Sequence, residues 1–440
     1  MTSNKNLFRI TYPIFLTLIA QNIINVTNTA FLGRVGEVEL GASAIGGVFY
    51  IAIYMVGFGF SQGAQILIGR RNGERNYAQI GPIFNSGLLF NFLLGVLIYI
   101  ASVIFVPHLM QQLVSSEHIY KATIEYLDWR MFGFFFVFLN VMFRGLFVGI
   151  TQTRILTTSA ILMAITNVIF DYLLIFGNFG FPRLGIAGAG ISSVIAEAIT
   201  LIYLFMHTVL YTDMKKYGLF EFKKVELKTI LQMLNLSIFI MFQYFISIST
   251  WFVFFIFIER MGERPLAITN IGRSLYVLLM IPGSALSTTV NTLVSNLIGA
   301  GRKEDVLPFI NHIIRISLML VVPLMIFTFI FPQLIARIYT DDLGLVTACI
   351  PVMRVISIAM VFCAVSNIIF NGVSGTGNTR TAFFIEFLTL FFYLGYVYYT
   401  AIINPAPLSV VWMSEFVYWI IIGALGYLYL QKGNWRKKEI

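Results

Sequence analysis

Charge is what this chain has least of. Only 11% of its 440 residues are Asp, Glu, Lys or Arg, against roughly 25% in a soluble domain. With 58% apolar residues and a mean hydropathy of +0.85, most of its length must be hidden from water. Cysteine is down to two, Cys349 and Cys363, at no metal-ligand or redox spacing. They are expected as small buried hydrophobes. Walker loops, nucleophile elbows and metal-ligand clusters do not occur in the sequence. That argues against ATP as energy source and leaves an intramembrane enzyme without a nucleophile and base. Period-two alternation is missing too: FGFFFVFLNVMF (132–143) is apolar almost throughout, unlike an outer-membrane barrel strand. The first apolar run is too long and starts too late for a cleaved leader, and no small-residue cleavage site follows it.

What is present is a series of apolar runs of the length that crosses a hydrocarbon core roughly 30 Å thick. They span about 8–32, 42–68, 80–107, 121–149, 154–177, 185–210, 232–258, 264–298, 306–331, 346–374, 380–403 and 408–430. This predicts an all-α membrane protein of twelve transmembrane helices. The chain also repeats itself. RVGEVELGASAIG (34–46) returns as RMGERPLAITNIG (260–272), and GITQTR (149–154) returns at the same offset as GTGNTR (375–380). ILIGRRNGE (66–74) is matched by NLIGAGRKE (296–304). Two hydrophobic halves on one plan point to a transporter with its path between related lobes. The expected organisation is an N-terminal six-helix lobe over 1–210, a cytoplasmic linker over 211–231 and a C-terminal six-helix lobe over 232–440.

A net charge of +9 could suggest nucleic acid, but its distribution does not. With the N-terminus in the cytoplasm, most of the 29 Lys and Arg fall in the even-numbered loops and the termini, among them Lys5, Arg70, Arg71, Lys215, Lys216, Lys223, Lys224, Arg302, Lys303 and Arg436–Lys438. This is the positive-inside pattern, and it sets both termini in the cytoplasm. No nucleic-acid partner is expected. The linker has two readings: a surface helix laying Leu219, Phe220 and Phe222 on lipid, or a plain connection carrying inside-positive charge. Gly57, Gly59, Gly63 and Gly69 on the second helix, and Gly272, Gly283 and Gly299 on its counterpart, predict close helix packing in lipid. Pro282 is expected to bend that counterpart.

Polar side chains at membrane depth need a partner, a cavity or a task. Gln21, Asn25 and Asn28 share one face of the first helix, and Gln243, Ser247 and Thr250 repeat the spacing on the seventh. Either they are interhelical hydrogen-bond glue, or they line opposite walls of one substrate cavity. In NVIFD (167–171), Asn167 and Asp171 stand one turn apart among apolar residues. Burial there favours a protonated carboxyl unless a cation holds it ionised, which suits a proton or Na⁺ relay with Asn167 as an oxygen ligand. The structural alternative pairs Asp171 with Arg144. Glu197, Glu386 and Glu415 are expected to pair with some of Arg130, Arg273, Arg315 and Arg354, and Asp128-Trp129-Arg130 to anchor at an interface. Aromatic and Met side chains facing a cavity would suit large apolar or cationic organic molecules.

The matches that carry a family resemblance are Pro13 and Gln21, TAFLGRVG (29–36), the LIGRRNGE and LIGAGRKE loops, and NVIFDYLLIFG (167–177) followed by LGIAGAGISS (184–193). By these the chain resembles the multidrug and toxic compound extrusion (MATE) transporters, DinF-like members especially, within the wider group that includes lipid-linked oligosaccharide flippases. The resemblance implies two six-helix lobes in a V and export driven by a cation gradient. It places a coupling site at Asn28, Asn167 and Asp171, with Pro13 as the point where the first helix bends. One residue departs: relatives usually carry Asp where this chain has Asn28. An amide can ligate Na⁺ but releases no proton, so Asp171 would carry coupling alone. The C-terminal half shows no replacement: Gln243 stands where some relatives carry Glu, and Cys363, Ser366 and Asn367 occupy the tenth helix.

The function expected is secondary active efflux of organic compounds, cationic ones included, by H⁺ or Na⁺ antiport with alternating access. Such a protein needs no cofactor beyond the coupling ion. It would sit in a bacterial inner membrane as a monomer among lipids, and it is not an enzyme. The alternative is a flippase for a lipid-linked oligosaccharide, which would gather arginines on a central cavity.

Overall fold

The computed structural model describes residues 4–114, 116–221, 226–339 and 342–437. Phe222, Lys223, Lys224 and Lys438 lie outside the described residues, as do the side chains of Lys5 and Lys437. The described chain is helical with no strand: α1 (Asn4–Val35), α2 (Glu37–Gly73), α3 (Ile80–Leu113), α4 (Glu117–Arg130), α5 (Gly133–Gly149), α6 (Arg154–Phe176), α7 (Gly185–Tyr211) and α8 (Met214–Tyr217) are followed by α9 (Leu227–Glu259), α10 (Glu263–Gly299), α11 (Val306–Ile330), α12 (Pro332–Ala336), α13 (Leu343–Gly375), α14 (Thr379–Tyr398), α15 (Leu408–Val411) and α16 (Ser414–Lys432). Eleven described helices are long and apolar enough to cross a membrane, and the bent pair α4–α5 makes a twelfth.

The chain forms two compact units. One is Tyr12–Met241; the other combines Met1–Thr11 with Phe242–Ile440. In the N-terminal unit α2 packs on α5 and α4, and α6 runs against α7. One core of this unit gathers Leu32, Tyr50, Met110, Leu127, Phe134, Phe138 and Ile175. In the C-terminal unit α10 lies along α13, which also meets α11 and α16. Here Thr11, from the start of α1, hydrogen-bonds Thr289 (3.0 Å).

The sequence repeats are repeated turns. Thr151 (φ 63°) and Gly377 (φ 84°) are equivalent in GITQTR and GTGNTR, and both close a helix–helix corner in the left-handed region. Glycine reaches that region freely, whereas a β-branched residue does so at a cost. Arg75 (φ 60°) and Gly301 (φ 76°), 226 positions apart, stand two residues past the ends of α2 and α10. The structure thus aligns these corners at the offset of the other repeats and not at the 230 of the ILIGRRNGE and NLIGAGRKE pairing. α10 continues as one helix through Pro282. Pro13 likewise lies inside a continuous α1, and its carbonyl accepts hydrogen bonds from Thr17 (2.8 Å) and Thr157 (2.9 Å).

The fourth apolar run, expected as one helix, bends by 53° between α4 and α5. Gly133, just past the break, faces a crowd of polar atoms: a Cβ there would come within 2.6 Å of the Tyr50 hydroxyl. Arg130 is the last residue of α4, directly before this bend.

The linker's described part does not lay Leu219 on lipid. Leu219 is only 4% exposed, because the segment docks on the start of α3. The Asn85 amide donates to the Gly218 carbonyl (3.2 Å) and accepts from the Phe220 N–H (2.8 Å). Gly81 gives this turn room, since any Cβ would meet the Gly218 carbonyl. Asn85→Ala should therefore cost about 1–3 kcal/mol by orphaning two buried backbone groups. Limited proteolysis should then cleave near residue 220 faster than in the parent.

Candidate functional site

In the N-terminal unit α1, α6 and α7 bring Asn28, Asn167, Asp171, Ser192 and Ser193 together. Asn167 and Asp171 are one turn apart and fully buried, at 1% and 0% exposure. Their depth follows from glycine: at Gly188, α7 lies so close to α6 that a Cβ would sit 2.7 Å from the Leu174 carbonyl. That approach lets Ser192 donate a short hydrogen bond to Asp171 Oδ1. Asn167 Nδ2 donates to Ser193 Oγ (3.3 Å). In the amide orientation that satisfies the network, Asn28 Nδ2 donates to Asp171 Oδ2 (2.6 Å), Asn167 Oδ1 (2.7 Å) and the Ile24 carbonyl (3.1 Å). Asp171 pairs with these groups and not with Arg144.

Asn28 and Asn167 also face a cavity of about 320 Å³ whose walls include Gln21 and Asn25. Across it stands a buried ion pair: Arg130 donates to both oxygens of Glu197 (2.9 and 2.7 Å). The Tyr50 hydroxyl donates to the same carboxylate at 3.1 Å to each oxygen, and the Arg130 guanidinium lies 3.5 Å from the Tyr50 ring centre. Arg130 is thus no interface anchor, whereas Asp128 and Trp129 are exposed. Arg144 lines the cavity as well, 4.9 Å from the ring centre of Phe58.

The C-terminal unit has a pocket of about 400 Å³ that includes Ser247 and Thr250 in its wall. Gln243, also expected on a cavity, is buried and is not among the lining residues. Trp251, Tyr276, Tyr393, Tyr418 and Trp419 form an aromatic lining around Glu415. Glu415 accepts from the Trp419 indole (3.2 Å) and Tyr393 (3.5 Å). Glu386 accepts from Ser247 (2.5 Å) and Tyr418 (3.0 Å). Both carboxylates are 3% exposed and neither meets an Arg or Lys among the described residues. The expectation of arginine partners is met only at Glu197. The C-terminal half does hold buried acids, on α14 and α16, where the duplication gave no reason to look. Ser192 and Ser193 are signalled in the sequence only as a pair of hydroxyls inside the glycine-rich LGIAGAGISS run.

A bundle of eleven or twelve apolar helices that buries carboxylates beside polar cavities defines a polytopic membrane transport protein. The MatE family model matches residues 13–173 and 240–399, and the chain belongs to that family of multidrug efflux transporters. It is 25% identical over 461 aligned positions to a probable multidrug resistance protein NorM of Thermotoga maritima, covering 99% of this chain and 94% of the relative. Identity to the corresponding protein of Shewanella oneidensis is 23% over 412 positions, covering 91% and 88%. The fold matches a Pyrococcus furiosus transporter of the MOP superfamily with TM-score 0.89, at 16% identity over 99% of this chain and 97% of that one. The Vibrio cholerae MATE transporter VcmN in its bent form matches with TM-score 0.88 at 16% identity, over 98% and 96%.

Proposed function

We propose that this protein exports organic compounds, cationic ones among them, in exchange for H⁺ or Na⁺. It would work as a monomer in the bacterial cytoplasmic membrane, with both termini in the cytoplasm, as a transporter rather than an enzyme. The observation that carries the reading is the buried Asp171, which has amide and hydroxyl partners but, among the described residues, no cationic one. Such a carboxyl is neutralised either by a proton or by a bound cation. The Asn28 amide can serve both states. With its nitrogen inward it donates to the carboxylate; turned over, it offers Oδ1 beside Asp171 Oδ2 and Asn167 Oδ1, an oxygen set suited to Na⁺. Loading the site would bias α1 between two packings, and alternating access follows if each state binds ion and compound differently. The Glu415 pocket, with its aromatic walls, supports cationic compounds.

The flippase reading is weaker. Arg130 and Arg144 both line the N-terminal cavity, but Arg130 is neutralised by Glu197. Arg273 lines the other pocket, Arg315 is exposed and Arg354 lies over the Phe329 ring, so one unneutralised arginine, not a cluster, faces the N-terminal cavity. The test is efflux by purified protein in proteoliposomes under an imposed ΔpH or ΔpNa, one at a time. Stimulation by one gradient names the ion; stimulation by neither defeats the antiport reading.

A further inference from the structure

The Arg130–Glu197 pair is more than the fold needs. Replacing a buried ion pair by uncharged residues of similar volume is often neutral or stabilising, and charges kept at membrane depth mark functional places. Its surroundings point to the task. α7 is wedged between α6 and α4 by two close approaches. Gly188 lies against α6, and at Gly190 a Cβ would lie 2.9 Å from the Tyr126 carbonyl and 3.4 Å from the Arg130 backbone nitrogen. From there Ser192 reaches Asp171 on α6, while Glu197 accepts from Arg130 on α4. The Arg130 guanidinium also meets the Tyr126 hydroxyl, and Tyr126 in turn interacts with Asp171. Of the ion pair, the guanidinium is the member whose charge acts on Asp171, although the two form no ion pair among the described residues. The pair is thus a dipole with its positive end toward the coupling acid.

The direct partners of Asp171, Ser192 and Asn28, are neutral. Once unloaded, its carboxylate has to persist away from water, which takes an opposite charge nearby. A direct salt bridge would go too far the other way, holding the acid ionised and closing it to the coupling ion. We infer that Arg130 is a positioning residue for coupling: it supplies ionised Asp171 with a counter-charge at second hand, by way of Tyr126, and Glu197 holds it back from a direct bond. Exchange needs an acid for which the loaded and the unloaded state are both within reach, and this arrangement provides one. The inference rests on the antiport reading of Asp171. The other titratable and charged groups around it are engaged elsewhere. Tyr50 of α2 is tied to Glu197, Arg144 of α5 lies over Phe58, and Tyr172, beside Asp171 on α6, is exposed. α1 contributes amides, Gln21, Asn25 and Asn28.

Two variants in proteoliposomes test it. Arg130→Met with Glu197→Gln removes both charges at similar volume, whereas Arg130→Lys keeps the charge and loses the fork that grips both Glu197 oxygens. A pair that only packs would leave the neutral double variant at least equal to Arg130→Lys in melting temperature and in gradient-driven efflux. We expect the two orders to split. The neutral variant should melt no lower than Arg130→Lys, yet its efflux should be at least about tenfold less. The same vesicles give the concentration of the coupling ion at half-maximal efflux. In Arg130→Lys it should move about tenfold from wild type, one pH unit if the ion is H⁺, because a point charge on a different stem faces Asp171 differently. Should the neutral variant fail to fold, this shift alone decides. Efflux that follows melting temperature overturns the inference, as does a half-maximal ion concentration within twofold of wild type in Arg130→Lys. Wild type run alongside separates the inference from its premise. No stimulation by either gradient defeats the antiport reading and this inference with it; a stimulated wild type leaves antiport standing whatever the variants do.

Discussion

Asp171→Asn should reduce gradient-driven efflux to no more than about a hundredth of wild type while the protein still folds and inserts. A ligand shifts a conformational equilibrium only through its differential affinity, and moving it from 1:99 to 99:1 takes roughly 10⁴-fold. An amide at position 171 takes up no proton and holds a cation weakly, so the differential disappears. The fold should tolerate the change. The substituted amide would keep an acceptor for Ser192, and its NH₂ can pair with Asn28 once that side chain turns, so the cost should stay near about 1 kcal/mol. Proteoliposome efflux under an imposed ΔpH and ΔpNa, set beside a chromatographic check of monodispersity, reads both quantities. Undiminished efflux in a monodisperse variant would move coupling elsewhere, with Glu386 and Glu415 next in line. Asn28→Asp is the companion. It would place two carboxylates at the 2.6 Å contact now made by amide and acid, and they could persist there only by sharing a proton or a cation. A changed number of ions per exported molecule is the expected result.

Arg130→Met should be the most destabilising single change in the N-terminal unit. It leaves Glu197 buried at 6% exposure with only the Tyr50 hydroxyl and no opposite charge. Breaking a buried ion pair from one side costs about 3–5 kcal/mol, because the surviving charge has lost both water and partner. For a unit of this size that corresponds to roughly 6–20 °C in melting temperature. Arg130→Met combined with Glu197→Gln should recover much of the loss, since the uncompensated charge is then gone. A double-mutant cycle on thermal unfolding in detergent measures the coupling. Equal and additive losses from the two substitutions would show that the pair contributes packing alone.

The two regions differ in how far the sequence could be read. Asn28, Asn167 and Asp171 were legible because helical spacing places 167 and 171 on one face and the resemblance adds Asn28. Glu197 and its partner were not: 67 residues separate it from Arg130, and several arginines were equal candidates. Ser247 was legible as a polar member of a helical stripe, but its bond to Glu386 crosses 139 residues.

Hydropathy, charge asymmetry and the internal repeats sufficed for the class, the number of spans and the duplicated corners. These depend on chain-local properties: run length, turn residues and periodicity. Tertiary packing alone decided which buried charges are cancelled and which remain. Arg130, at the end of α4, meets Glu197 of α7. The close approach of α7 at Gly188 brings Ser192 to Asp171. Arg144 is left facing a cavity, and two glutamates in the C-terminal unit have, among the described residues, hydroxyl and indole partners only. At membrane depth the meaning of a charge lies in what stands within about 4 Å of it, because the low dielectric makes an absent partner costly. Those neighbours come from helices far apart in sequence, which no local pattern can pair.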